Sequence, residues 1–296
     1  MDADGTVCRV CGRPTVACGE RTTTFSPAHR FEFSHCEACG YTQIDTPRTD
    51  FADLYDEAYY AGAGADPMTD YRAELSDDRS IRRYEWAALS QIVAELNGGD
   101  PTTTWLDMGC GLGGSVRYAR AHTRLEAFGF DEGFAGDTLA AEGVAHLTKD
   151  DLATSQGRFD VITAIDVIEH VMDPVEFLEQ IRDLLRPGGT LFLTTGNAEP
   201  YRDRVTTWSY SSVPEVHIGF FEPRTLRLAY ERAGLVALSE KPPTAFRDLL
   251  RYKVLKNLRV NRQAWWERSI PWSLAAPVVD RKFRLSAMPM ARRPPG

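Results

Sequence analysis

The 296-residue sequence has no apolar run approaching the ~18 residues that a membrane-spanning helix needs. Its first residues also lack the apolar stretch of a secretory signal, so the expected location is the cytoplasm. No internal repeat and no low-complexity tract is present, which sets repeat and fibrous architectures aside. A basic surplus is missing too: the net charge is −8. That balance is uneven, because residues 241–296 carry 13 Lys/Arg against 3 Asp/Glu while the first 240 carry 21 against 39. An acidic body argues against a broad nucleic-acid surface, which needs a basic footprint. What remains is ordinary for a soluble globular chain, 43% apolar and 26% charged, long enough for one full core and an appendage.

The stretch that organises this core is Asp107-Met108-Gly109-Cys110-Gly111-Leu112-Gly113. A short apolar run from Thr104 leads into it and a helical pattern starting near Gly114 follows, so the order is strand, tight turn, helix. Glycine lets a ligand approach the main chain, and the helix start offers unpaired N–H groups and a positive dipole end. No Gly-Lys-Ser/Thr follows, which excludes a P-loop.

Strand and helix patterns then alternate, which predicts a doubly wound α/β fold with a mostly parallel sheet. Strands are expected at Thr104–Met108, Leu125–Phe130, Val144–Leu147, Phe159–Ile165, Thr190–Thr195 and Val236–Glu240. A helix capped by Asp77 or Asp78 is expected to run to Leu96. Others are expected over Gly114–His122, from Asp173-Pro174 to Leu185, and from Glu222-Pro223 to Ala233. Ligands of such sheets sit at the carboxyl ends of the strands. Asp107, Asp131, Asp150, Asp151 and Asp166 stand at successive strand ends behind the glycine turn, and together they read as the lining of a binding site.

Here the sequence resembles a known family. The glycine motif, Phe159-Asp-Val-Ile-Thr-Ala-Ile-Asp-Val-Ile-Glu-His170, Leu184-Leu-Arg-Pro-Gly-Gly-Thr-Leu191 and His217-Ile-Gly-Phe-Phe-Glu-Pro-Arg-Thr-Leu226 are similar to the class I S-adenosylmethionine (SAM)-dependent methyltransferases. Within them they resemble the branch acting on small molecules such as quinones, sugars and polyketides. The resemblance covers roughly residues 79–240 and implies a seven-stranded Rossmann-like sheet. It assigns Gly109, Cys110, Gly111 and Gly113 to the methionine part of SAM. Asp107 would orient the loop or accept from the ammonium group, and Asp131 would accept the ribose hydroxyls. Asp151, or else Asp150, would take the adenine amino group, with Leu152 packed on the ring. Asp166 would face the reacting centre. A hydroxyl or carbon acid must lose a proton on methylation, and the candidates for that work are His217 as base with His170 and Glu169 as site formers.

Cys8-x-x-Cys11 and Cys36-x-x-Cys39, each followed by glycine, match a zinc ribbon with four thiolate ligands and therefore no position open for substrate. About 40 residues build little core, and a structural metal supplies the missing stability. A ribbon ahead of such a domain partly resembles the bacterial sugar C-methyltransferases. Those carry a Glu-His pair where this chain has Val216-His217. The expected organisation is a ribbon over 1–45, a connector over 46–77, a methyltransferase domain over 78–240 and a basic aromatic extension over 241–296. The connector's aromatic residues, Tyr55, Tyr59 and Tyr60 among them, read mainly as anchors to the body. In the extension, Arg247 to Arg262 reads as a basic amphipathic helix, able to pack on the sheet or to meet anionic membranes or phosphate-bearing substrates. Arg284–Arg292 is expected to supply the last, antiparallel edge strand. The acceptor is expected to be a small, nucleotide-linked or carrier-linked molecule methylated on a hydroxyl, with sugar C-methylation the alternative and RNA methylation a more distant one.

Overall fold

The structure is a computed structural model that describes residues 6–67, 69–239, 241–284 and 287–296. At its centre lies β4 (Thr104–Met108), flanked by β5 (Glu126–Phe130) and β6 (Phe159–Ile165), both parallel to it. The near-continuous apolar content of β4 and β6 follows from this central position, since both faces of the sheet are covered. β7 (Leu185–Thr194) extends the sheet in parallel beside β6. β10 (Ala291–Arg292) runs antiparallel to β7 and to β9 (Val236–Ala237), giving the order β5-β4-β6-β7-β10-β9.

Alternation along the strands sorts the core into two layers. Leu106, Met108, Ile162 and Ala164 pack on one face against α8 (Pro174–Leu184) and α9 (Pro223–Arg232). Trp105 and Val161 pack on the other against α4 (Arg82–Leu96), α5 (Gly114–His122) and α10 (Phe246–Asn257). Asp173 starts α8 by accepting the N–H groups of Val175 and Glu176 at 3.0 and 2.9 Å, with Pro174 at the first helical position. Such a cap stabilises a helix by about 1 kcal/mol.

Four expectations change. The sheet has six strands among the described residues rather than seven. The segment around Val144–Leu147 contributes one bridge, Gly129 to His146, because Gly129 alone bonds both Ala145 and Leu147. The extension's strand lies inside the sheet, between β7 and β9, and not at its edge. Pro289 precedes the two ladder residues, so its missing N–H costs no strand bond. α4 begins at Arg82, since Asp77 folds back to accept the Arg79 N–H at 2.9 Å in a preceding turn. α10 ends at Asn257, five residues before the expected Arg262. Glu240, the expected end of β9, lies outside the described residues.

A second sheet holds the N-terminal segment. β1 (Val16–Arg21), β2 (Phe31–His35) and β3 (Thr42–Ile44) form an antiparallel meander, and β3 pairs with β8 (Gly219–Phe220) from the far part of the chain. Phe31, Phe33, Ile44, Ile218 and Phe220 are buried together beneath it. Three short helices, α1 (Phe51–Leu54), α2 (Glu57–Tyr60) and α3 (Tyr71–Ser76), bridge the two sheets. After β5 come α6 (Gly133–Ala141) and α7 (Lys149–Thr154), and α11 (Trp272–Phe283) packs beside α10. No helix of the described residues is long and apolar enough to cross a membrane.

Gly114, the first residue of α5, marks how closely α4 approaches the glycine turn. A Cβ there would stand 2.2 Å from the Trp86 ring. Gly114→Ala is expected to lower stability by about 1–3 kcal/mol, seen as a lower Tm in scanning calorimetry; an unchanged Tm would mean that the indole yields.

Candidate active site

A cavity of about 1150 Å³ opens at the carboxyl ends of β4, β5, β6 and β7. Its size exceeds the upper end of ordinary small-ligand pockets, about 1,000 Å³, so there is room for two ligands. The floor is the glycine turn. Gly109, Gly111 and Gly113 take φ of 75°, 56° and 75°, a region that favours glycine. At Gly109 a Cβ would stand 2.5 Å from Val167. Asp107 is buried beneath the turn, where it accepts the Thr163 hydroxyl at 2.5 Å and the Ser115 hydroxyl. Trp105 in turn donates to Thr163 at 2.8 Å. Burial raises the Asp107 carboxyl to about 6 against those two donors. Asp107 thus ties β6 to the start of α5 beneath the turn and also lines the cavity.

Asp131, at the tip of β5, accepts the Gly111 N–H at 2.6 Å and the Glu132 N–H at 2.8 Å, and burial raises it to about 6. Cys110 faces the same cavity. Asp166 closes β6 in a left-handed conformation, φ 54°, a strained state for a residue other than glycine. Enclosure in the cleft pushes its carboxyl up, but the Lys253 ammonium, 2.7 Å from both oxygens, outweighs this and holds it below the usual carboxylate range.

Asp150, Asp151 and Leu152 do not line the cavity. Thr148 opens α7 there, and the Asp151 carboxylate turns back to accept the Thr148 N–H and hydroxyl at 2.9 and 2.7 Å as half of a capping box. One oxygen of Asp151, Oδ2, is thus engaged in starting the helix. Gly113 serves as N-cap of α5 and does not itself line the cavity.

Past the end of β6, His170 and His217 approach edge to face, ring centroids 4.9 Å apart, next to the buried Glu169. One ligand atom from each of the three lies within 4.8 Å of the others. Such a trio can move protons or hold a divalent cation. The partner of His217 decides its tautomer. His217 Nδ1 donates to the Tyr210 carbonyl oxygen at 2.6 Å, so a neutral ring keeps its lone pair on Nε2. His170 Nδ1 lies 2.9 Å from the Tyr55 hydroxyl, in a bond where either group can donate. Burial lowers His170 to about 4, and burial together with the neighbouring His170 lowers His217. Glu169 accepts from the Tyr210 hydroxyl; burial, then the charge of Asp166, raises it to about 7.

Sequence reasoning missed Tyr210 and Arg82 as parts of the site, gave Lys253 and Lys256 only as cations of a basic helix able to meet a phosphate-bearing substrate, and read Tyr55 mainly as an anchor. Tyr55 had a signal, being a tyrosine in an aromatic cluster next to a catalytic domain. Tyr210 had none, because its contact with Glu169 spans 41 residues.

The four cysteines form a separate centre. Cys8, Cys11, Cys36 and Cys39 place their Sγ atoms within 4.8 Å of one another, with Cys8–Cys39 at 3.5 Å and Cys11–Cys36 at 3.4 Å. Four thiolates around one point suit tetrahedral zinc, whose Zn–S bonds of about 2.3 Å put the sulfurs just under 4 Å apart. The Gly12 and Gly40 N–H groups donate to Cys8 and Cys36 carbonyls at 2.8 Å, closing the two knuckles. Cys39's carbonyl accepts the Thr225 hydroxyl of α9 at 2.7 Å, which ties this centre to the catalytic half.

Comparison with known proteins agrees with this geometry. Residues 79–240 match the family model described as "Methyltransferase domain". A ubiquinone biosynthesis O-methyltransferase of Pseudomonas paraeruginosa is 36% identical over 107 residues, 33% of this chain and 46% of that protein. The Leptothrix cholodnii protein of the same name is 31% identical over 136 residues, 40% of this chain and 52% of its own. The chain therefore spans about half the length of the curated relatives it matches. Among solved structures, phosphoethanolamine N-methyltransferase 2 of Haemonchus contortus superposes with a TM-score of 0.50 at 17% identity, covering 84% of this chain and 61% of that one. Glycine turn, strand-tip carboxylates and family match converge on one conclusion: the chain belongs to the methyltransferase-domain family.

Proposed function

We propose that the enzyme methylates a hydroxyl of a small or carrier-linked metabolite, with His217 as general base. The observation that carries this reading is the bond from His217 Nδ1 to the Tyr210 carbonyl, which leaves the Nε2 lone pair to accept a proton in the cleft. A neutral hydroxyl is a poor nucleophile and must shed its proton as it attacks. When bound, SAM supplies a methyl group on a sulfonium that departs as a neutral thioether. What the protein must do is hold the acceptor in line, and orientation of this kind is worth about 7–11 kcal/mol at its best. Tyr210 stacks on His217 at 4.2 Å and on Trp208 at 4.8 Å, which fixes the imidazole plane. His170, locked by Tyr55, forms the adjoining wall.

SAM's methionine part belongs beside Gly109–Gly111 and its ribose at Asp131, and the ribbon thiolates hold a structural zinc. The matched relatives named as O-methyltransferases support the hydroxyl reading; sugar, polyketide and quinone-like acceptors all fit the chemistry. Incubation with methyl-labelled SAM and fractionated metabolite extract, followed by mass analysis, tests it. Label in an ether bond supports the proposal, and label on carbon or nitrogen would sink it.

Asp131→Ala is expected to weaken SAM binding about 10- to 100-fold, because it removes a charge-assisted acceptor and the brace on Gly111. Calorimetric titration measures it, and wild-type affinity would remove Asp131 from the nucleoside site.

A further inference from the structure

The basic amphipathic pattern expected over Arg247–Arg262 turns mostly inward in the fold. Leu249, Leu250, Tyr252 and Leu255 of α10 are buried, Lys253 pairs with Asp166 at 2.7 Å, and Arg251 pairs with the buried Glu267. The unusual surface lies just past this helix. Of the eleven large apolar side chains exposed among the described residues, five fall within residues 258–278: Leu258, Trp265, Trp266, Leu274 and Val278. Exposed apolar side chains gathered in so short a stretch mark an interaction surface.

The pattern of α11 says the same. Trp272 and Ala276 pack onto the body, and Val279 lines the cavity. At helical spacing the opposite face carries Leu274 and Val278, both 70% exposed, with Arg281 one turn further on. A helix on the surface of a globular protein keeps its outer face polar, whereas this one is apolar on both. The turn before it is firmly held. Glu267 accepts from Tyr84 at 2.6 Å and from Arg251, and the Gln263 N–H bonds the Arg79 carbonyl at 2.7 Å. Between these two anchors the Trp265 side chain stands 83% exposed.

The extension is also net basic, 13 Lys/Arg against 3 Asp/Glu, on an acidic body. Arg262 is paired with Asp77 and Arg284 with Glu199. Arg259 and Arg281 are exposed and make no ion pair among the described residues. Of the three acids, Glu267 is buried, and Asp248 and Asp280 are half-buried.

We propose that the outer face of α11 and the Trp265-Trp266 turn form a docking surface for an anionic lipid bilayer. Indole and aliphatic side chains enter the headgroup region, while the arginines beside them meet lipid phosphates. Such a bilayer attracts the extension and repels the acidic body, so charge orients the molecule as it docks. A second copy of the chain fits the face less well, because a two-fold contact there sets Arg281 of one copy near Arg281 of the other. Docked in this way, the membrane lies against a helix that also walls the cavity through Val279.

The experiment uses the full chain with its zinc and vesicles of phosphatidylcholine, alone or mixed with phosphatidylglycerol. Flotation reads vesicle binding for the wild type and for Trp265→Ser, Leu274→Ser/Val278→Ser and Arg281→Gln. Each protein is first checked for folding by its melting curve and for oligomeric state by ultracentrifugation. The wild type should float with the mixed vesicles far better than with the neutral ones, and should detach as salt rises. Trp265→Ser and the double variant should each weaken binding about tenfold or more, and Arg281→Gln about fivefold. No wild-type binding to mixed vesicles, equal binding to both compositions, or folded variants that bind as the wild type does would each overturn the proposal. A wild-type dimer that the substitutions dissociate, with no vesicle bound, would also overturn it and give the face to a second copy.

Discussion

His217→Gln will turn over about 10²- to 10⁴-fold more slowly than the wild type at saturating SAM, the range a positioned general base contributes. Glutamine preserves the shape and a hydrogen bond to the Tyr210 carbonyl, so the loss isolates the basic nitrogen. Affinity for S-adenosylhomocysteine is expected to stay close to the wild-type value, since the proposed role of His217 is toward the acceptor. The pH profile gives the second readout. Burial and the neighbouring His170 ring lower the His217 pKa, so its working, unprotonated form is present at neutral pH and is lost only as pH falls through that depressed value. The wild-type rate should therefore fall on the acid side, and the variant should lack that limb. A variant that keeps most of its turnover, with the limb intact, would remove His217 from proton transfer and pass the role to Glu169, whose carboxyl burial and the Asp166 charge push up to about 7.

Removing zinc is expected to abolish activity although no thiolate faces the cavity. Chelation, or Cys36→Ser, should cost the ribbon most of its order, because metal binding in small domains contributes apparent free energies of about 10–16 kcal/mol. The effect should spread because β3 pairs with β8, two residues beyond His217. Ile218 is held between two backbone bonds, its N–H to Glu169 at 2.8 Å and its carbonyl to the Ile44 N–H at 3.0 Å. Loss of the ribbon frees one side of that residue and with it the catalytic loop. A Tm lower by on the order of 10 °C is expected, together with loss of turnover and one equivalent of zinc released per chain. Full activity in a metal-free protein would refute the structural role.

Much of this was legible because it is local. The apolar run into Asp107 and the glycines behind it marked β4, the turn and α5. Asp173-Pro174 marked the start of α8 through capping chemistry that acts over three residues. Strand-tip position did not tell at Asp151 that the same carboxylate also caps the helix it opens, outside the cavity lining. The basic amphipathic pattern after Lys241 identified a helix but not its address: nothing local says that Tyr252 and Lys256 look into the cleft, which depends on α10 packing against α4. Tyr210 and Arg82 were invisible for the same reason. The strand at Ala291 was placed at the edge on the strength of Pro289, where the ladder in fact skips the proline.

The stitch between Thr42-Gln43 and Gly219-Phe220 sets a rule for building chimeras. A ribbon transplanted from a relative by exchanging only the first 45 residues would arrive without its fourth strand, and the host's residues 219 and 220 would be left facing a stranger's backbone. Gly219 sharpens the point, because a side chain there would run into the hydroxyl of Tyr41, 2.3 Å from where its Cβ would stand. The metal module and the strand just past His217 must therefore be inherited together.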